Sequence, residues 1–66
     1  MKNRVRELRK ARHWTQEQFG DLLEVSRQTI NSIENGRFDP SLTLALKMAR
    51  LLEDSVEGIF VLDSSG

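Results

Sequence analysis

The chain has no cysteine and only one histidine, His13, among its 66 residues. Without cysteine there is neither a disulfide framework nor a thiolate metal site, and one histidine cannot build a metal centre alone. A domain of this length buries only about 60% of the surface of its unfolded chain, which leaves room for one small core. The sequence therefore predicts a single domain, residues 1–66, held by packing, with no metal and no cofactor.

Long apolar runs are also missing. The longest is Ile59 to Leu62, and the first ten residues, MKNRVRELRK, carry charges where a signal peptide would need an apolar stretch. These features predict a soluble, cytoplasmic protein with no membrane partner.

The formal net charge is zero, but the charges are unevenly distributed. Residues 1–37 hold eight Lys and Arg against five Asp and Glu, whereas residues 38–66 hold two against five. A basic half is consistent with a polyanionic partner, although basic residues on a first helix also serve simply to keep it soluble.

Hydrophobic periodicity predicts helices along most of the chain. Their expected ranges are 3–12, 16–23, 27–35 and 42–53, followed by a short fifth helix that opens at Asp54 and Ser55 and returns Val56, Ile59 and Phe60 to the core. Residues 61–66 are predicted to be a tail.

Capping signals support two of these starts. Thr15 and Gln18 form a capping-box pattern, and Trp14 can pack onto Phe19 as a hydrophobic staple. Ser26 is placed to cap the third helix.

The third helix is predicted to end at Asn35 and Gly36, a pair suited to a left-handed turn. Ser41 is the expected cap of the fourth, with Asp39 before Pro40 as the alternative. One face of the fourth helix is expected in the core: Leu42, Ala45, Met48, Ala49 and Leu52.

Acidic residues are absent from the outward face of the third predicted helix. That face carries Arg27, Gln28, Asn31, Ser32 and Asn35. Amide side chains can bind adenine through two hydrogen bonds and arginine can bind guanine, whereas carboxylates are repelled by phosphates. Only Glu24 and Val25 join this helix to the second, so the two must cross steeply, as in a helix-turn-helix.

The stretch TQEQFGDLLEVSRQTINSIENGR followed by FDPSLTLALKMARLL resembles the Cro and phage-repressor family of helix-turn-helix regulators. The resemblance covers residues 4–60 and is strongest to small stand-alone bacterial repressors related to the cytolysin repressor. It implies an all-α, compact five-helix bundle of the lambda-repressor-like type, with residues 4–60 as its core.

The resemblance also implies roles for individual residues. Base contacts are expected from Ser26, Arg27, Gln28, Asn31 and Ser32. Phosphate contacts are expected from Gln16, Thr29, Asn35 and Arg37. The alternative is an ordinary solvated helix face with a routine C-terminal cap.

Two charged residues lie on apolar stripes. Arg9 shares the apolar stripe of the first helix and Glu34 that of the third. Burying either alone would cost several kcal/mol, so we expect the two to pair, as in similar family members. Otherwise each side chain reaches water separately.

Two positions depart from the family pattern. Glu24 stands where the family usually has glycine with a positive φ, and Gly20 stands where it usually has alanine, so modest instability is expected from both. Trp14 and Phe38 are expected in the core, with stacking on bases as the alternative.

A single recognition helix contacts few base pairs, so a two-fold dimer is expected. Its candidate interface is Ile59, Phe60, Val61 and Leu62. Ile59 and Phe60 can complete the monomer core, but nothing in the chain is left to cover Val61 and Leu62. This run is also β-prone, so it is expected either to pair as a short strand with residues 1–3 or to fray.

The sequence thus predicts a transcriptional regulator that binds double-stranded DNA sequence-specifically, as a homodimeric repressor on a pseudo-palindromic operator. The alternative is an antitoxin or antirepressor that uses the same fold to bind a protein. An enzyme is not expected, because the carboxylates are scattered and His13 falls in a loop. No small-molecule ligand is expected in so short a chain.

Overall fold

The computed structural model describes residues 1–62, which contain five helices and two short strands. In chain order they are β1 (Lys2–Asn3), α1 (Val5–Ala11), α2 (Gln16–Leu23), α3 (Arg27–Glu34), α4 (Leu42–Leu52), α5 (Val56–Ile59) and β2 (Phe60–Val61). The predicted all-α five-helix class is confirmed, together with the short terminal strands. Residues 63–66 of the predicted tail lie outside the described residues.

The starts of α2 and α3 are set by side-chain caps. The Thr15 hydroxyl accepts from the Gln18 backbone N–H at 3.0 Å, while Gln18 Oε1 accepts from the Thr15 N–H at 2.9 Å. Trp14 stacks on Phe19 with ring centroids 5.5 Å apart. Ser26 accepts from the Thr29 N–H at 3.1 Å. The predicted capping box and staple are therefore confirmed, and unpaired helix N–H groups are satisfied locally.

Serine also begins the last two helices. Ser41 accepts from the Leu44 N–H and Ser55 from the Gly58 N–H. Ser41, rather than Asp39, is thus the cap of α4.

The first four helices end in the same way, with one residue in the left-handed region. These residues are His13, Glu24, Gly36 and Glu53, with φ between 53° and 73°. At each end the next residue donates its N–H back to the helix, as Val25 does to the Gly20 carbonyl at 2.9 Å. This is the Schellman arrangement, and in three of four cases it is adopted without glycine.

The sequence places most of the core correctly. The buried apolar side chains are Val5, Phe19, Leu23, Ile30, Ile33, Ala45, Met48, Leu52, Ile59 and Phe60. Two expectations are wrong: Leu42 is 72% exposed and Phe38 is 51% exposed. Leu42 is the first residue of α4, and Phe38 lies in the loop before it.

The N-terminal residues form the short strand expected to pair with the C-terminal run, and α1 begins at Val5, two residues later than predicted. Lys2 pairs with Val61 and Asn3 with Phe60 in an antiparallel ladder. Asn3 Oδ1 accepts from the Val5 N–H at 3.1 Å, next to the start of α1. The Asn3 side chain also donates to the Ile33 carbonyl at 2.8 Å, so the same residue contacts the end of α3.

Gly20 lies where α2 passes the turn that leads into α3. A Cβ atom at this position would lie 2.7 Å from the Val25 carbonyl oxygen. Because that oxygen belongs to the backbone, it cannot move aside as a flexible side chain would. Gly20 therefore permits the close approach of the turn to α2, which offsets the helix-propensity cost expected from a mid-helix glycine.

Glu24, at the end of α2, is strained because it adopts a left-handed backbone conformation without being glycine, with φ 61° and ψ 38°. We expect Glu24→Gly to raise the free energy of unfolding by about 0.5 to 1 kcal/mol, since glycine removes the left-handed penalty but costs backbone entropy. Urea unfolding would measure this. Glu17→Gly is the matched control, because Glu17 is exposed in the first turn of α2 and its glycine variant should lose about 1 kcal/mol. Equal shifts in the two variants would contradict a role for the backbone conformation of Glu24.

Candidate nucleic-acid interface

Helices α2 and α3 pack through their buried apolar faces, which turns the opposite face of α3 to solvent. Ile30 and Ile33 of α3 are buried with Phe19 and Leu23 of α2. On the outer side Arg27, Gln28 and Asn31 are exposed, and Ser32 is half-buried. Rotation of α3 about its axis therefore decides which polar side chains reach the surface.

A shallow polar concavity lies between the start of α2 and the outer face of α3. It is lined by Gln16, Arg27, Gln28, Asn31 and Ser32. The structure thus brings together four of the five predicted base-contacting residues and one predicted phosphate-contacting residue. The concave surface presents amide, guanidinium and hydroxyl groups, and none of these five lining side chains is acidic.

The fifth predicted base-contacting residue, Ser26, has a different local task. Its hydroxyl caps α3 and lies 3.0 Å from the Thr29 hydroxyl. Thr29 is half-buried, and its hydroxyl is held in this pair. Ser26 and Thr29 therefore order the first turn of α3, next to Arg27 and Gln28.

The two predicted phosphate-contacting residues after α3, Asn35 and Arg37, differ in whether neighbouring side chains bind them. Asn35 is engaged by its neighbours: it accepts from Arg6 Nη2 at 3.0 Å and donates to Asn31 Oδ1 at 3.1 Å. Arg37 is exposed, and its backbone N–H donates to the Ser32 carbonyl at 2.9 Å. Gly36, between them, has φ 73°, and a Cβ there would lie 3.2 Å from the Met1 carbonyl oxygen. This turn therefore fixes where Arg37 leaves the helix.

The carboxylate of Glu34 is the centre of a polar cluster that joins three helices. Arg9 donates to both of its oxygens, at 2.7 Å and 3.1 Å, and also to the Trp14 carbonyl at 2.8 Å. The Arg9 side chain is 8% exposed and that of Glu34 is fully buried. The two expected partners therefore meet inside the protein, and each has several hydrogen bonds.

Two further donors reach the same carboxylate and were not expected from the sequence. Arg6 Nε lies 3.3 Å from Glu34 Oε1, and Gln16 Nε2 donates to that oxygen at 3.1 Å. The spacing of Arg6 and Arg9 is the signal that could have suggested the first, because residues three apart share one helix face. No local pattern indicates the Gln16 contact.

The cluster keeps Glu34 ionised. Burial raises the pKa of Glu34, but hydrogen bonds, led by those from Arg9 and Gln16, lower it by more, so that the pKa lies below its ordinary value of 4.5. A carboxyl with a depressed folded pKa stabilises the fold above its unfolded pKa, and this contribution is lost as the pH falls through the folded value. The Glu34 carboxylate thus contributes stability at neutral pH, and this contribution is lost only under acidic conditions.

Other kinds of site find no support in residues 1–62. Within that range no three His, Asp or Glu side chains are grouped so as to hold a metal ion. No helix of the described chain has the length and apolar character needed to cross a membrane.

Together, two helices crossing at a tight turn and a polar outer face on the second define a helix-turn-helix DNA-binding domain. Comparison with known proteins agrees. The helix-turn-helix family model matches residues 5–56. The chain belongs to this family, in its Cro and phage-repressor type, and is a DNA-binding regulator of transcription.

Two uncharacterised HTH-type transcriptional regulators show how far the similarity extends. One from Methanothermobacter thermautotrophicus is 45% identical, covering 100% of this chain and 97% of that protein. YgzD of Bacillus subtilis is 43% identical, covering 96% of each. A competence pilus inhibition repressor from Acinetobacter baylyi is 38% identical over 88% of this chain, which corresponds to 53% of that longer protein.

A solved structure supports the fold as well. The restriction-modification controller protein C.AhdI of Aeromonas hydrophila superposes with a TM-score of 0.76 at 33% identity. The match covers 86% of this chain and 83% of the controller protein.

The buried cluster predicts a large and non-additive effect of mutation. Arg9→Met should lower the free energy of unfolding by about 3 to 5 kcal/mol, because it leaves the buried Glu34 without its main partner. The double variant Arg9→Met with Glu34→Leu should recover part of that loss, because no buried charge is left unpaired. The recovery should be incomplete, because Gln16 loses its acceptor on Glu34 and the Trp14 carbonyl loses its donor on Arg9.

A double-mutant cycle in urea measures the coupling between Arg9 and Glu34. Arg12→Met, at the C-terminal cap of α1, is the control, since the ion pair of Arg12 with Glu53 lies at the surface and should contribute at most about 1 kcal/mol. Additive losses for the Arg9 and Glu34 variants would be inconsistent with a shared buried cluster.

Proposed function

We propose that the protein is a sequence-specific repressor that acts as a homodimer on a pseudo-palindromic operator, with α3 in the major groove of double-stranded DNA. The observation that carries this proposal is the distribution of charge on α3. Its one acidic residue, Glu34, is buried and bonded to arginines, whereas its exposed face offers Arg27, Gln28 and Asn31. Such a face can approach phosphates without repulsion and presents the groups that recognise base edges.

In this proposal Ser26, Arg27, Gln28, Asn31 and Ser32 lie along the bases. Arg27 and Gln28, exposed in the first turn of α3, are the residues for direct base contact. Ser26 contributes from its capping position, next to both.

Phosphate binding is assigned to Gln16, Thr29, Asn35 and Arg37. Gln16 gives one N–H to Glu34, which leaves its second N–H for a phosphate at the start of α2, where the helix dipole favours an anion. Arg37 contributes a full positive charge beyond the end of α3. Asn35 is restricted to its second side-chain N–H, because one N–H and its oxygen are already bonded.

The proposed dimer follows from exposed apolar side chains at the C-terminal end. Val61 is 47% exposed and Leu62 is 82% exposed, whereas Ile59 and Phe60 are buried in the monomer. In the proposed interface Val61 and Leu62 contact their symmetry mates, while Ile59 and Phe60 support them from beneath. An isologous contact of this kind gives the two-fold symmetry that a pseudo-palindromic operator requires.

A repressing role is supported by the Acinetobacter baylyi relative, whose name describes a repressor. A dimer bound over a promoter can block polymerase by occupancy alone.

The second candidate function is a protein-binding module of the antitoxin or antirepressor type. It is favoured by the zero net charge and by the exposed Leu42 and Leu46 of α4. A salt series in a DNA shift assay separates the two functions, because DNA binding that neutralises several phosphates must weaken steeply with salt.

Gln28 gives the test of base contact. Selection from a random duplex library would first identify the operator. Gln28→Ala should then cost roughly 1 to 3 kcal/mol on the operator and little on random DNA, because it removes a base contact and no charge. Arg37→Ala is the contrasting variant and should weaken both DNAs about equally. Equal losses on the two DNAs for Gln28→Ala would contradict the assignment.

The dimer interface is tested by replacing Val61 and Leu62 together with Asp. This double variant should be a folded monomer by sedimentation and circular dichroism, and it should lose operator binding because one recognition helix contacts too few bases. Replacing Leu42 and Leu46 with Asp is the matched control and should leave the dimer intact. If only the control becomes monomeric, the interface lies on α4. A wild type that is monomeric at high micromolar concentration would contradict the proposed dimer.

A further inference from the structure

A chain of hydrogen bonds runs from the buried cluster to the exposed face of α3 that carries Arg27, Gln28 and Asn31, here called the recognition face. Arg6 on α1 contacts Glu34 with Nε at 3.3 Å and donates from Nη2 to Asn35 Oδ1 at 3.0 Å. Asn35 Nδ2 then donates to Asn31 Oδ1 at 3.1 Å. Asn31 is exposed and lines the concavity beside Gln28. Through two short contacts, a residue on α1 thus reaches a side chain that faces the DNA in the proposed complex.

The orientation of both amides follows from donor and acceptor chemistry. Arginine has five N–H donors and no acceptor, so the Asn35 atom that faces Arg6 must be the oxygen. The Asn35 amino group must then face Asn31, and Asn31 must meet it with its own oxygen. In general an asparagine side chain is free to present either end, because the two ends differ little in shape. Here Arg6 removes that freedom from both residues.

We propose that Arg6 and Asn35 are positioning residues that make Asn31 a hydrogen-bond donor in the major groove, selecting guanine at one position of each half-site. With its oxygen turned to Asn35, Asn31 offers the two N–H groups of Nδ2. Guanine presents two acceptors in the major groove, N7 and O6, whereas adenine presents one acceptor and one amino donor. The arrangement therefore disfavours the two-bond contact with adenine that a free asparagine makes.

This inference depends on the proposed DNA-binding function, and one selection experiment tests both. Wild type, Asn31→Ala, Arg6→Met and Asn35→Asp would each be used to select sites from a random duplex library, after circular dichroism shows that they fold. The position whose preference disappears in Asn31→Ala is the one that Asn31 contacts. At that position the wild type should prefer guanine over adenine by about tenfold.

Arg6→Met should reduce that preference to about twofold or less at this position alone, since both amides can then turn. Asn35→Asp should reverse the preference. A carboxylate accepts from Arg6 and also from the Asn31 amino group, so Asn31 turns its oxygen to the groove and favours bases with an exposed amino group, cytosine or adenine.

Arg4→Met is the charge control, because Arg4 also lies at the start of α1 but contacts Glu7 and Asp54 instead of α3. It should weaken binding uniformly and leave every base preference unchanged. A purely structural role of Arg6 would likewise change affinity without changing preference at one position.

The outcomes are distinct. If the wild type enriches no sequence, the proposed function fails, and this inference with it. If a site is enriched but Asn31→Ala flattens no position, or the wild type prefers adenine or cytosine there, only this inference is overturned. An unchanged preference in Arg6→Met or Asn35→Asp overturns it as well.

Discussion

The carboxylate of Glu34 is the constraint on which the arrangement of the first three helices depends. It is fully buried and accepts hydrogen bonds from Arg6 and Arg9 of α1 and from Gln16 of α2. A buried charge is tolerated only when such partners are held in place, so α3 cannot rotate about its axis without losing them. The orientation of α3 that these hydrogen bonds fix also turns Gln28 outward. The same hydrogen bonds therefore compensate the buried charge of Glu34 and set which face of α3 is exposed.

The turn between α2 and α3 sets how closely the two helices approach. Gly20 leaves space for the Val25 carbonyl, and Glu24 adopts a left-handed conformation where the chain changes direction between Leu23 and Arg27. These two residues act on opposite sides of one turn. Gly20 avoids a contact that alanine would make with the Val25 carbonyl, while Glu24 keeps a left-handed conformation that glycine would adopt with less strain.

Local signals in the sequence predict the helices well, because caps and apolar spacing act within a few residues. Thr15, Ser26 and Ser41 each begin the helix that they were expected to begin. The pairing of Arg9 with Glu34 also follows from sequence, since two charges on apolar stripes need each other. Contacts between exposed polar groups do not follow: the engagement of Asn35 by Arg6 depends on how α1 and α3 are placed, and no spacing rule encodes it.

The two-stranded sheet connects the recognition helix to the proposed dimer surface. Asn3 pairs with Phe60 in the sheet, and its side chain donates to the Ile33 carbonyl at the end of α3. Val61, the next residue of β2, is half-exposed at the proposed interface. In a dimer the separation of the two recognition helices must match one turn of DNA, about 34 Å. If the protein dimerises as proposed, the short path from β2 through Asn3 to the end of α3 would set the separation of the two α3 helices.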